Sequence, residues 1–190
     1  TKAIVEKRHE EFPNAPKLRF IVIKDGDRVK ISENFTAEFV RIEHTIPEAC
    51  GFVLDTPAGK MASFGDFRLE IDRDGTPQRT EVFEKIAKMG IHTLFLDSTR
   101  ADAAGSGPSE AIVIENIEQL IRNAPGRIII ATFASMVDRL IEVIAIADRL
   151  GKKVAVNGRS MISNLDIAKQ LGYLKAKKEV MITIEDVHKH

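Results

Sequence analysis

His44, Asp66 and Asp97 are the side chains of this sequence whose types and placement could do chemistry together. A neutral imidazole gives a metal one directional nitrogen, and a carboxylate has two oxygens able to link two cations. A carboxylate behind a ligand histidine fixes its tautomer and raises its basicity. Metal ions a few ångströms apart can share a hydroxide, bring its pKa toward neutrality and clamp a phosphodiester in line. Each of the three residues follows a run that reads as a strand. His44 comes after residues 37–42, Asp66 sits in Phe64-Gly65-Asp66-Phe67, and Asp97 opens Asp97-Ser98-Thr99 after a β-rich run. Ligands of open α/β sheets bind beyond such carboxyl ends. Singly, each reads equally well as a turn or cap residue; the combination is the signal.

Two more polar clusters, at residues 132–135 and at Gly158-Arg159-Ser160, fall where strand passes to helix. Free N–H groups at a helix start face anions. Ser135 and Arg139 lie one helical turn apart, and Arg159 and Ser160 begin the following helix. These four are the candidates for holding backbone phosphates without reading sequence. The alternative for Arg139 and Arg159 is a salt bridge on a solvated face. Phe133 could stack a base, although a strand-end phenylalanine more commonly faces a core. His92 opens a buried strand and reads as structural, and His188 and His190, in the tail, receive no role.

The elements that must position these residues fall into two patterns. The first half, to about Asp66, is strand-rich. Residues 19–23 and 29–31 flank Lys24-Asp25-Gly26-Asp27, whose Asp-Gly is a hairpin signal. Residues 37–42 form a third strand, and 52–56 and 60–64 flank the turn Pro57-Ala58-Gly59-Lys60 as a second hairpin. From Thr80 onward helix and strand alternate. Helices are expected at 80–89, 109–123, 135–150 and 160–171, the last ended by Gly172, with strands at 93–97, 127–131 and 153–156. The all-apolar runs Ile128-Ile129-Ile130 and Val154-Ala155-Val156 suit parallel strands covered on both faces. That alternation implies an α/β protein with a doubly wound parallel sheet.

Composition narrows the classes. Lys plus Arg and Asp plus Glu both total 28, so no net field advertises a nucleic acid, although a local basic groove can sit on a neutral protein. One cysteine, Cys50, forbids an internal disulfide and fits a reducing, cytoplasmic setting. No apolar run approaches the roughly 20 residues needed to span a bilayer. No Walker A sequence occurs, and Gly105-Ser106-Gly107 is not a dinucleotide fingerprint. The chain starts at Thr1 within a helical pattern and stops at His190 where Thr183-Ile184-Glu185-Asp186 reads as a helix start, so both ends are expected to continue into a longer polypeptide.

Taken in order, His44-Thr45-Ile46-Pro47-Glu48-Ala49-Cys50-Gly51, Gly65-Asp66-Phe67, Asp97-Ser98-Thr99, Ala131-Thr132-Phe133-Ala134-Ser135 and Gly158-Arg159-Ser160-Met161 resemble the ribonuclease J branch of the metallo-β-lactamase/β-CASP family. The Ile46-Pro47 pair separates this branch from the cleavage-and-polyadenylation endonucleases. The resemblance implies a partial metallo-β-lactamase αββα sandwich over residues 1–107, followed by part of a doubly wound parallel-sheet β-CASP domain over 108–190. It implies a zinc-dependent ribonuclease, exo- or endonucleolytic, with two Zn2+ per active site of the intact enzyme. In it His44 binds one zinc, Asp66 bridges both and takes part in catalysis, and Asp97 supports a zinc-binding histidine from behind. RNA, the remainder of the parent polypeptide and a homo-oligomer of the intact enzyme are the implied partners.

Thr45 stands where the family commonly has Ser, Glu48 where it has Asp, and Arg100 where it has Asn. The family's His-x-His-x-Asp-His motif and its later histidine motifs are absent, so the isolated chain is expected neither to hold two zinc ions nor to turn over RNA. Two rival readings stay open: a non-catalytic module that holds RNA or phosphate at helix N-termini, and a superfamily hydrolase acting on another ester.

Overall fold

Strand signals in the N-terminal half resolve into one five-stranded mixed sheet. The computed structural model describes every residue except Arg73, Ser106, Lys178 and His190, so His190 and the centre of Gly105-Ser106-Gly107 lie outside the described residues. In chain order the elements are α1 (Lys2–His9), β1 (Arg28–Lys30), β2 (Thr36–Arg41), β3 (Cys50–Thr56), β4 (Gly59–Ser63), α2 (Glu81–Ala87), β5 (Ile91–Phe95), α3 (Glu110–Asn123), α4 (Val137–Arg149), β6 (Val154–Ala155), α5 (Arg159–Gln170) and β7 (Met181–Ile182), with a 3-10 turn at Ile184–Lys189. The chain divides into two units, one of Leu18–His44 and Glu48–Ser109, the other of Thr1–Lys17, Thr45–Pro47 and Glu110–His190.

The first unit holds the sheet, in the order β1-β2-β3-β4-β5. β1 to β4 pair antiparallel, and α2 carries the chain across to β5, which pairs parallel with β4. Period-two alternation decides which side chains enter the core. Val40, Ile42, Val53, Ala62 and Phe64 are buried together with Ile86 of α2. The row Phe39–Phe52–Ser63–Phe95, joined by register across four strands, belongs to the other face. Phe52 and Phe95 of that row are 38% and 53% exposed, so this face is left open where the first is covered.

Phe64, Phe67 and Phe83 lock the covered face in an edge-on trio with ring centroids 5.5–6.1 Å apart. Gly51 in β3 makes room for it. A Cβ there would stand 2.8 Å from Phe64 Cδ1 and 2.9 Å from the Ser63 carbonyl oxygen. Gly51→Ala is therefore expected to destabilise the chain by about 1–3 kcal/mol through overpacking. Thermal unfolding followed by circular dichroism checks this, and an unchanged midpoint would refute the close approach.

Three sequence expectations are corrected here. Residues 19–23 form no strand, and Ile21 and Val22 are 63% and 72% exposed. The Asp-Gly turn instead extends the β2 ladder, with Gly26 N donating to Phe39 O, Phe39 N to Asp27 O and Arg41 N to Asp25 Oδ1. β1 consequently pairs with β2 through the turn at residues 31–35. His92 lies on β5, an edge strand, and is exposed rather than buried.

The second unit packs α4 and α5 through Val137, Leu140, Ile144, Ala147, Leu165 and Ala168, against Leu174 and Val180. β6 and β7 pair in parallel, the arrangement expected of an α/β sheet. Residues 127–131 are the third correction: they form no strand, and Ile129 is 92% exposed. A strand forms only where a neighbour supplies its ladder, and the described residues of this unit pair only β6 with β7. The expected helix at 135–150 begins two residues late, because Val137 N turns back to Ser135 O.

Candidate functional site

Strand direction brings three distant residues to one edge of the sheet. β2 and β4 are both antiparallel to β3, and β5 is parallel to β4, so β2, β4 and β5 all run the same way. Their carboxyl ends emerge together. His44 follows β2 by three residues, Asp66 follows β4 by three, and Asp97 follows β5 by two. With strands about 4.8 Å apart, the ends of β2 and β5 are separated by roughly 15 Å of sheet and that of β4 lies between them. Arg68 N donates to Glu43 O at 2.7 Å, which ties the segment after β4 to the segment carrying His44. Glu43 is held a second time, by an ion pair with Arg79.

Asp66 sits exposed on a turn whose two flanks are anchored, since Phe64 is buried and Phe67 packs against it. Gly65 supplies the left-handed backbone, φ 58°, that the turn requires. Asp97 is held differently. Its Oδ1 accepts from the Thr99 hydroxyl at 2.7 Å and from Thr99 N at 2.9 Å. Those two bonds, chiefly the hydroxyl's, keep the Asp97 carboxyl below the usual carboxylate range, and the His44 charge nearby adds to the effect. With Oδ1 occupied, Oδ2 is the oxygen left to face a partner. Thr99 is a residue that sequence reasoning passed over as part of a motif. Its signal was local, because an Asp followed two residues later by a hydroxyl is a ready Asx turn.

The donors suit zinc in kind, an imidazole nitrogen and a carboxylate, but not in number. A catalytic zinc takes three protein ligands, and among the described residues no group of three His, Cys, Asp or Glu is placed to hold a metal ion. A cavity of about 380 Å³ is lined by Arg41, Glu43, Arg68, Arg79, Glu81 and Lys85, among others, and by none of His44, Asp66 and Asp97. Its cations are largely neutralised by Arg68–Glu70, Arg79–Glu43 and Lys85–Glu38 pairs.

The loops that carry His44 and Asp97 each contain a non-glycine residue in the left-handed region, Glu48 (φ 60°) and Arg100 (φ 62°). Such a conformation costs on the order of 1 kcal/mol for an ordinary side chain, and Asn and Asp are its usual non-glycine occupants. These are two of the positions at which this sequence departs from the family it resembles.

The phosphate candidates all fall in the second unit. Arg139 forms a two-pronged pair with Glu110, Nε to Oε1 at 2.7 Å and Nη2 to Oε2 at 2.8 Å, and this pairing raises the guanidinium's pKa. It joins α3 to α4, so a structural role for Arg139 is on hand. Ser135 is exposed ahead of α4, whose first amides are already engaged, Val137 N by Ser135 O and Asp138 N by Thr45 O. Arg159 and Ser160 are exposed in the first turn of α5, where a cation opposes the helix dipole. Phe133 is 77% exposed, contrary to the core position expected from its place in the sequence. No helix among the described residues is long and apolar enough to cross a membrane.

Residues 125–190 match the family model for ribonuclease J, β-CASP domain. Over 98% of its length the chain is 36% identical to ribonuclease J of Thermus thermophilus, of which it spans 33%. Over 97% of its length it is 34% identical to ribonuclease J of Mycobacterium tuberculosis, again 33% of that protein. A crystal structure of a protein of unknown function from Enterococcus faecalis superimposes with a TM-score of 0.65 at 18% identity, over all of this chain and 49% of that one, a likeness of fold alone. The chain thus spans about a third of the length of the curated relatives it matches. Residues 125–190 thus match the β-CASP domain of ribonuclease J, and nearly all of the chain is similar in sequence to ribonuclease J.

Proposed function

We propose that this chain is a portion of a zinc-dependent ribonuclease that hydrolyses RNA phosphodiesters. What supports the reading is that β2, β4 and β5 deliver His44, Asp66 and Asp97 to the same end of one sheet, in a chain so similar to ribonuclease J. Residues 1–107 would belong to a metallo-β-lactamase domain and 108–190 to a β-CASP domain. The open aromatic row of Phe39, Phe52 and Phe95 suits the packing of a second sheet, as an αββα sandwich requires.

Within this reading His44 is a terminal zinc ligand and Asp66 a bridging carboxylate. Asp97, pinned through Oδ1 by Thr99, keeps an ionised oxygen to accept an imidazole N–H and so orient the histidine. Two donors do not make a zinc site, and the centre needs ligands beyond those of this chain. Arg159, Ser160 and Ser135 would touch substrate phosphates, with Phe133 free to stack a base.

The test is cleavage of a labelled single-stranded RNA, beside DNA of the same sequence, by a protein of ribonuclease J length that contains this chain. RNA cleavage is expected, and a protein that folds and binds RNA without cutting it would favour the non-catalytic module instead.

A further inference from the structure

The side chain at position 100 is out of keeping with its backbone. Arg100 lies three residues beyond Asp97, at the sheet edge to which β2, β4 and β5 deliver the candidate centre. Its φ is 62°, a region where arginine is disfavoured and glycine or asparagine is at ease. The side chain is exposed, and its guanidinium makes no hydrogen bond or ion pair with any described residue. Only its backbone carbonyl is used, accepting from Ala103 N. Three other arginines are held by carboxylates, Arg139 by Glu110, Arg79 by Glu43 and Arg28 by Asp55, whereas Arg19, Arg41 and Arg159 share the lack of a side-chain partner among the described residues without the left-handed backbone. Arg100 combines an unfavourable conformation with no internal partner, so nothing within the described fold accounts for an arginine there.

A guanidinium so placed is suited to one class of ligand. It presents up to five donors in a planar fork that matches two phosphate oxygens, and it is always charged. In the metal-free chain the carboxylates at the same end of the sheet, Asp66 and Asp97, repel a phosphodiester, and a cation beside them offsets that repulsion. We propose that Arg100 is a substrate-binding residue that holds a backbone phosphate of a single-stranded RNA at the mouth of the His44–Asp66–Asp97 edge. The inference rests on the ribonuclease reading and sharpens it, because it gives this chain a phosphate contact of its own in the unit that carries the candidate ligands. The contact is with the backbone, so it strengthens binding to all sequences alike.

The decisive comparison separates fold from binding at a single position. Arg100→Asn keeps a side chain that tolerates the left-handed backbone, Arg100→Lys keeps the charge, and Arg100→Ala removes both. The probe is a fluorescein-labelled ten-nucleotide oligouridylate, titrated with the full chain and followed by anisotropy over a series of salt concentrations. The unaltered chain is expected to bind. Asn and Ala should weaken binding about 5-fold and flatten the log K against log salt slope by about 0.7, one single-strand phosphate contact. Lys should retain most of the affinity and the slope, and the Asn variant should melt no lower than the original. Equal affinity and slope for Asn and the original chain would overturn the contact while leaving the ribonuclease reading standing, since RNA is still bound. Equal losses for Lys and Ala would overturn the role of charge. Absence of RNA binding by the unaltered chain would also overturn the proposal, and RNA cleavage would then judge the ribonuclease reading separately.

Discussion

Asp66→Ala in a ribonuclease J-length protein containing this chain is expected to lower RNA hydrolysis by about 10³-fold or more while leaving the fold intact. The rate loss follows from the role proposed for the carboxylate, since charge stabilisation by a metal site amounts to several kcal/mol and each 1.36 kcal/mol is tenfold. The intact fold follows from what Asp66 touches. It is exposed and makes no hydrogen bond among the described residues, while Phe64 and Phe67 on either side carry the packing. Surface positions of this kind change stability by within about 0.5 kcal/mol. Steady-state hydrolysis and thermal unfolding, measured on one preparation, separate the two effects. Asp97→Ala should cost less, about 10–100-fold, because Asp97 would act through a zinc-binding histidine and not on the metal itself. Retained hydrolysis in the Asp66 variant would remove the bridging role.

Phe64→Ala should have the largest effect on stability. Phe64 is 4% exposed, meets Phe67 and Phe83 edge-on, and fills the space that Gly51 leaves free. Truncating a buried phenylalanine costs about 3–5 kcal/mol, and in a chain of this size each kcal/mol lowers the melting midpoint by about 2–4 °C. A fall on the order of 10 °C is expected. Phe64→Leu keeps most of the volume and should cost less than about 1.5 kcal/mol. Because Phe64 is the residue before Gly65-Asp66, the Ala variant should also loosen the Asp66 turn. Faster amide exchange at Gly65 and Asp66 than at the β3 and β4 interiors would register that, and an unchanged midpoint would refute the packing account.

Much of this was legible in the sequence, and what was not has physical causes. Strands β2, β3 and β4 were readable because short apolar, β-rich runs at 37–42, 52–56 and 60–64 are bounded by turn residues such as Pro57-Ala58-Gly59-Lys60. The Asp25-Gly26 turn was seen, yet its partner was not, because the bonds that place it run to Phe39 and Arg41 across the sheet. Ile128-Ile129-Ile130 has the composition of a covered parallel strand, but composition cannot say whether neighbours are present to pair with it. For the site, each of His44, Asp66 and Asp97 could be read as a strand-end residue on its own. Their convergence depends on strand order and direction, which no local pattern encodes. The ambiguity at Arg139 had the same origin, since Glu110 stands 29 positions away on another helix. The left-handed backbones at Glu48 and Arg100 carried no sequence signal, as neither residue type favours them.

The central claim is that His44 and Asp66 are donors to a metal centre that hydrolyses RNA. It is tested most directly by cleavage of a labelled single-stranded RNA with the ribonuclease J-length protein, before and after dialysis against a chelator and again after zinc is restored. Loss of cleavage on chelation, recovery with zinc, and no recovery in His44→Ala or Asp66→Ala are the predicted results. Undiminished cleavage by the dialysed protein, or full recovery in either variant, would contradict it.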